Sequence, residues 1–289
     1  MDATYNIIKQ DNLESMTSMK KLYLIKINRK VLIVILMIIL HLIAYMILYN
    51  VNTIRCSIQN TSGKLAIIID DFGQTREGVE EMMTIDEHLT FAVMPFMEFT
   101  KEDAIKAKDL GYEVIIHLPM EAKGGSLSWL GPRPILCNMK KNEVRKVVED
   151  AVADVPYAIG ANIHMGSKAC CQEEIMESIF EVVKEKRLYY FVDSRTSNKT
   201  VAKKKADEMG VLCYDNNVFL DGQKPKSHMI KRLRKAGDLA LKKGQAIAIG
   251  HVGIEGGVAM AEAIEEMREE FAERRIELVF VSELDDDVY

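Results

Sequence analysis

No two cysteines in this chain are spaced as C-x-x-C, and the five present, Cys56, Cys137, Cys170, Cys171 and Cys213, are scattered and odd in number. Cys170 and Cys171 are neighbours, and a bridge between adjacent residues is strained. Such a set excludes a disulfide framework, and we read all five as structural residues. Signatures of several enzyme classes are missing as well. There is no H-E-x-x-H, no P-loop and no G-x-S-x-G elbow, so neither Ser167 nor Ser194 reads as a serine nucleophile. No Gly-rich dinucleotide fingerprint follows the first β-branched run, because Asp70-Asp71-Phe72-Gly73 occupies that place. Tryptophan occurs once, at Trp129, and no basic stretch is interleaved with aromatics in the folded region. With a formal net charge of -5, nucleic acid is not an expected partner.

Hydrophobic residues make up 48% of the chain and charged residues 28%, which argues against disorder. The run Val31 to Tyr49, VLIVILMIILHLIAYMILY, carries no formal charge and is long enough to cross a bilayer as a helix. His41 is its one strongly polar residue and reads as a tolerated neutral side chain. Lys20, Lys21, Lys26, Arg29 and Lys30 precede the run, while only Arg55 and Lys64 follow it closely. The positive-inside bias therefore predicts a single-pass membrane protein with its C-terminal part extracytoplasmic. The run is too long for a typical signal-peptide core, and no small-x-small site follows it, so an uncleaved anchor is expected. The expected organisation is a cytoplasmic tail at residues 1–30, an anchor at 31–50, a linker at 51–63 rich in Asn, Ser and Thr, and one domain at 64–289.

Within that domain short apolar runs alternate with amphipathic stretches. Strands are predicted at 65–70, 89–94, 112–118, 158–164, 188–193, 211–215, 245–251 and 277–283. Helices are predicted at 75–83, 100–110, 141–155, 173–186, 202–209, 226–242 and 258–274. Gly111 and Gly210 stand where a helix must end in a left-handed residue, and Pro156 cannot extend the helix before it. The strands are continuously apolar, as parallel strands buried on both faces are. The class is α/β, an irregular and incompletely closed (β/α) barrel, with an open doubly wound sheet as the alternative. One connection, residues 119–138, is long enough to be a binding loop or lid.

Active sites of parallel α/β folds lie at the C-terminal ends of the strands. Asp70 and Asp71 end the first predicted strand, His117 the third, His164 the fourth, Asp193-Ser194-Arg195 the fifth and His251 the seventh, while Asp221 follows the sixth. An Asp-Asp after a strand often caps a helix, and a lone strand-end His is usually structural. Three His and several Asp at one rim are harder to assign to structure alone. Two imidazoles and a carboxylate are a common ligand set for zinc or a similar divalent ion with an open position.

At these residues the chain resembles the divergent polysaccharide deacetylase family. The matching segments are Ile69-Asp70-Asp71-Phe72-Gly73, His117-Leu118-Pro119-Met120-Glu121, His164-Met165-Gly166-Ser167, Asp193-Ser194-Arg195-Thr196, Phe219-Leu220-Asp221 and Ile249-Gly250-His251. They occur in order from Lys64 to Leu284. The resemblance implies a distorted β/α barrel shared with the mainstream polysaccharide deacetylases, which remove N- or O-acetyl groups from sugars. In those enzymes the first Asp of the pair is the base and the second a metal ligand, and both metal histidines come from one H-x-x-x-H motif. That motif is absent here, and Ile163 stands where many members of the divergent family carry an Asn.

The expected chemistry is metal-assisted hydrolysis of an acetamido or acetyl ester group on an acetylated polysaccharide or peptidoglycan-type substrate. Asp71, His117 and His164 would hold one divalent ion, zinc in the first instance. Asp70 would be the general base and His251 the acid. Asp193 would orient or tune His251, and Arg195 would pair with a carboxylate. Glu121 is a reserve base or outer partner, with Ser167 and Asp221 as further outer or substrate-facing residues. The alternative is a non-catalytic envelope protein that binds glycan or a partner on the same barrel, and the third reading is another metal hydrolase.

Overall fold

The computed structural model describes residues 29–59, 62–223 and 225–285. Residues 1–28 of the expected tail lie outside the described residues. The chain divides into two compact units between residues 60 and 61.

Among the described residues the first unit contains one helix, α1 (Arg29–Gln59). Its stretch Leu32–Tyr49 is long and apolar enough to cross a membrane. The helix runs on through 51–59, which was expected to be linker. Asn, Ser and Thr are weak helix formers but not breakers, and no Gly or Pro interrupts 50–59.

The second unit alternates strand and helix in the order β1 (Gly63–Phe72), α2 (Val79–Met82), β2 (Thr90–Val93), α3 (Thr100–Asp109), β3 (Glu113–Met120), α4 (Lys141–Asp154), β4 (Gly160–Met165), α5 (Glu173–Glu185), β5 (Tyr190–Asp193), α6 (Ala202–Met209), β6 (Cys213–Asp215), β7 (Val218–Phe219), α7 (Lys226–Lys243), β8 (Gln245–His251), α8 (Gly257–Glu273) and β9 (Ile276–Val279). The strands form one parallel sheet in the order β6-β5-β4-β3-β2-β1-β8-β7, with β9 added to β1. Among the described residues no ladder joins β6 to β7, so the barrel is curled but unsealed along that seam. The incompletely closed barrel is the observed form, and its helices pack on the outer face.

Two differences from the expected elements have simple causes. β7 is only two residues long, too short for any periodicity to reveal. β9 does not take its own place in the barrel wall. β1 is ten residues long, and β2 pairs only with its second half, at Ile68, Ile69 and Phe72. β9 fills the free first half at Gly63–Ala66. The chain then turns through a 3₁₀ segment, Val281–Glu283, across the base of the barrel. There Leu284 O accepts from the Tyr214 hydroxyl at 3.3 Å, and Asp285 exchanges hydrogen bonds with Gln245 at 2.8 and 2.9 Å.

Strand alternation sorts the core into two layers. Ala66, Ile68, Ile115, Tyr190, Val192, Tyr214, Ile247 and Ile249 face inward and fill the barrel. Leu65, Ile67, Ile69, Val114, Ile116, Phe191 and Cys213 face outward under the helices. The inward rows continue upward into Asp70, His117 and His251, so the core itself aims those side chains at the top of the barrel.

Candidate metal centre

Asp70 follows the inward row Ala66, Ile68, whereas regular alternation would turn Asp71 out of the barrel. A register shift between Ile69 and Phe72, with Asp71 at φ 72°, reverses this. Such a bulge costs backbone strain and re-aims one side chain. It brings both carboxylates to one cavity of about 190 Å³, lined also by His117, His164, Ser194, Phe219, His251 and Glu255.

Three atoms converge in that cavity. Asp71 Oδ1 lies 3.4 Å from His117 Nε2 and 3.1 Å from His164 Nδ1, and the two nitrogens are 3.0 Å apart. Tetrahedral ligands about 2.0–2.1 Å from a zinc ion stand about 3.3 Å from one another, which is this triangle. Asp71 Oδ1 is buried without a hydrogen-bond donor. An unsatisfied buried acceptor costs about 1–3 kcal/mol, more if charged, and a cation removes that cost. Burial pushes the Asp71 carboxyl up, but protonated imidazoles at His117 and His164 outweigh it and hold the group well below the usual carboxylate range, and a cation would take the place of those protons. The donor set therefore fits a divalent ion.

The ring tautomers fit it too. A carboxylate only accepts, so the Asn162 amide nitrogen, 2.7 Å from Asp70 Oδ1, is the donor there. Asn162 Oδ1 then faces His117 Nδ1 at 2.6 Å and receives its proton, which leaves the Nε2 lone pair for the ion. His164 Nε2 lies 3.0 Å from the Trp129 carbonyl, which also only accepts, so His164 Nδ1 carries the free lone pair. Each ligand imidazole is thus oriented by a partner on its far nitrogen, as in other protein metal sites.

Asp70 and His251 flank the same cavity, with Asp70 Oδ2 3.9 Å from His251 Nε2. Burial raises the Asp70 carboxyl above its ordinary value, against the weaker pull of His117, His251 and Asn162. Burial opposes charge on His251, but the Asp221 carboxylate, with Asp70 and Asp71 beyond it, lifts the imidazole to about 10. His251 Nδ1 sits 3.0 and 2.9 Å from the two Asp221 oxygens, and His251 N donates to Asp221 at 2.8 Å. His251 therefore points an acidic Nε2–H into the cavity.

The remaining expected residues stand elsewhere. Asp193 falls one residue after the inward-facing Val192, so it points to the outer layer. Its Oδ1 accepts from Arg195 N at 2.9 Å, and the partner that orients His251 is Asp221 instead. Arg195 is exposed, with Nη1 3.9 Å from Asp215 Oδ2. Glu121 is ion-paired with Lys168 and accepts from Cys137 N at 2.7 Å, outside the cavity. Ser167 Oγ accepts from Lys123 N at 2.9 Å, which pins the long loop. Cys137, Cys170, Cys171 and Cys213 are free thiols. Burial pushes the Cys170 thiol up to about 12, which keeps it protonated. Asn162, the Trp129 carbonyl and Glu255 were not singled out in the sequence. Asn162 was accessible, since it shares the inward parity of His164.

A profile of the divergent polysaccharide deacetylase family matches residues 67–284. The chain belongs to this family. The chain is 36% identical over 190 residues to the uncharacterized protein YibQ of Escherichia coli (strain K12), covering 66% of this chain and 59% of that one. It is 33% identical over 201 residues to an uncharacterized protein of Haemophilus influenzae (strain ATCC 51907 / DSM 11121 / KW20 / Rd), covering 68% and 69% of the two chains. It thus spans less than two thirds of the Escherichia coli relative. A crystal structure of the uncharacterized protein ATU2773 from Agrobacterium tumefaciens C58 matches the chain with TM-score 0.71 at 19% identity, over 77% of this chain and 89% of that one, and shows the same fold.

Proposed function

We propose that this chain is a membrane-anchored, zinc-dependent hydrolase that removes acetyl groups from an envelope polysaccharide of the peptidoglycan type. The observation that carries this reading is the convergence of Asp71, His117 and His164 on one point, with a raised carboxylate and an imidazolium on either side. A divalent ion held by those three residues would acidify a water and polarise the acetyl carbonyl. Asp70 is the general base, since burial makes it more basic and Asn162 fixes its Oδ1 so that Oδ2 faces the cavity. His251 then gives its Nε2 proton to the departing amine or hydroxyl, and Asp221 stabilises the charge it carries beforehand. Amide leaving groups need that proton most, so an N-acetyl sugar is the preferred substrate. Lys20, Lys21, Lys26, Arg29 and Lys30 ahead of the apolar helix support a cytoplasmic N-terminus and an extracytoplasmic site. The missing H-x-x-x-H motif favoured a non-catalytic glycan-binding barrel, but two imidazoles from separate strands supply the same ligand types.

The direct test is acetate release from peptidoglycan and from N-acetylated oligosaccharides by the full chain in a non-sugar detergent. Release is expected with zinc, and its loss is expected with a chelator. Release unchanged by complete metal removal, or none on any acetylated glycan with metal bound, sinks the reading.

The pH profile supplies a second check. The alkaline limb of kcat/KM reports the free-enzyme acid, and the charge on Asp221 is what raises His251. Asp221→Asn removes that charge, so less alkali is needed to deprotonate His251. The limb is expected to move down by roughly 1–3 pH units. A limb that stays in place would assign the acid to another group.

A further inference from the structure

The loop between β3 and α4 carries a feature of the rim that the hydrolytic chemistry leaves unused. It contains the chain's only tryptophan, and that side chain is 62% exposed. Loops at the rim of such a fold carry binding residues, and an aromatic ring there offers a flat apolar face to a ligand. Its setting is built rather than loose. Leu130, next to it, is buried. Gly125 has φ 93°, and a Cβ there would stand 3.0 Å from Trp129 Cε3 and Cζ3 and 3.1 Å from Met165 Cε. The benzenoid part of the indole therefore lies directly on the Gly125 backbone, beside Met165, and Met165 lines the catalytic cavity. The opposite end of the same residue is tied to the site, since the Trp129 carbonyl holds His164 Nε2 at 3.0 Å. Leu127, also 62% exposed, lies two residues earlier on the same 3₁₀ turn.

We propose that Trp129 is the sugar platform of this site. Its open indole face stacks on the C–H face of a pyranose ring, next to the residue whose acetyl group enters the cavity. A flat, rigid aromatic suits the apolar face of a sugar, whose hydroxyls remain in water around the edge. Because the backbone of the same residue orients a metal-ligating imidazole, binding at the ring and binding at the metal centre are linked, and the linkage is reciprocal. The proposal rests on the deacetylase reading and names how that site holds its polymer.

Trp129 is also the only fluorophore of its kind in the chain, so its emission reports on this position alone. The experiment titrates the full chain, in a zwitterionic non-sugar detergent, with N-acetylchitotetraose, with and without zinc. A saturable change in emission is expected, with tighter binding in zinc. Calorimetry on Trp129→Ala should show tetrasaccharide affinity weakened by at least ~10-fold, and Trp129→Phe should recover most of it. Zinc affinity, from chelator competition, should stay within about three-fold in both variants, because the carbonyl is backbone. Three results overturn the proposal: no saturable emission change, unweakened affinity in Trp129→Ala, or zinc affinity lost in parallel with the sugar, which makes the ring a prop for the loop. If the parent still releases acetate in any of these cases, the deacetylase reading stands without the platform.

Discussion

Asp70→Asn is expected to keep its zinc and lose about 10³-fold in kcat. The amide has the size of the carboxylate, and its oxygen can still accept from Asn162, so the run Asn162 to His117 to the ion persists. What disappears is the basic oxygen facing the cavity. Asp70 is almost fully buried, and its Oδ2 lies 3.9 Å from His251 Nε2 across the cavity. The measurement pairs single-turnover acetate release with metal analysis of the same sample. Turnover within about ten-fold of the parent would remove Asp70 from proton transfer, whereas loss of zinc would make it a ligand or a ligand support.

His117→Ala is expected to act through the metal. In the proposed site His117 is one of three protein ligands, and it is buried, with only 1% of its surface exposed. Its removal leaves Asn162 Oδ1 without a donor and Asp71 with one neighbouring imidazole instead of two. Zinc affinity should fall by more than the ~10–100-fold that loss of an outer hydrogen-bond partner costs, and activity should fall to background. Competition against a chelator of known affinity measures this directly. His164→Ala serves as the internal comparison, because both imidazoles stand within 3.4 Å of the same Asp71 oxygen. Zinc bound undiminished in either variant would take that histidine out of the ligand set.

Much of this was legible in the sequence. The parallel sheet followed from continuously apolar strands, and the rim from polar residues where those strands end. The curl without closure was expected in kind. The details that escaped have physical reasons. β9 looked like a further wall strand, and nothing in its own residues reveals that β1 is long enough to carry two partners on one edge. Asp71 should have faced outward by alternation, and only a bulge at φ 72° turns it in. The structure sets it within 3.4 Å of His117 and His164, a neighbourhood that periodicity alone does not give. Asp193 is the reverse case. Its position at a strand end drew attention, but counting in twos from Tyr190 and Val192 sends it to the helix side. The same count picks out Asn162 on β4 as inward. The bond from the Trp129 carbonyl to His164 lay beyond any count, because it depends on how a long loop folds back over the strand ends.

The place of β1 in the sheet has a consequence for synthesis. This strand, made first, ends up bonded to β8 and β9, which are made last. At about 5–20 residues per second, some 200 further residues take on the order of 10–40 s to be made before those partners exist. Until then the edge of β1 that β8 will occupy is an open row of amides and carbonyls, and Asp70 lacks the imidazole that will face it. The barrel therefore matures only once β8 and β9 have been made, when they join the strand that begins the site. Association this distant in sequence is slow to nucleate, and an exposed β1 is the segment most in need of protection during that wait.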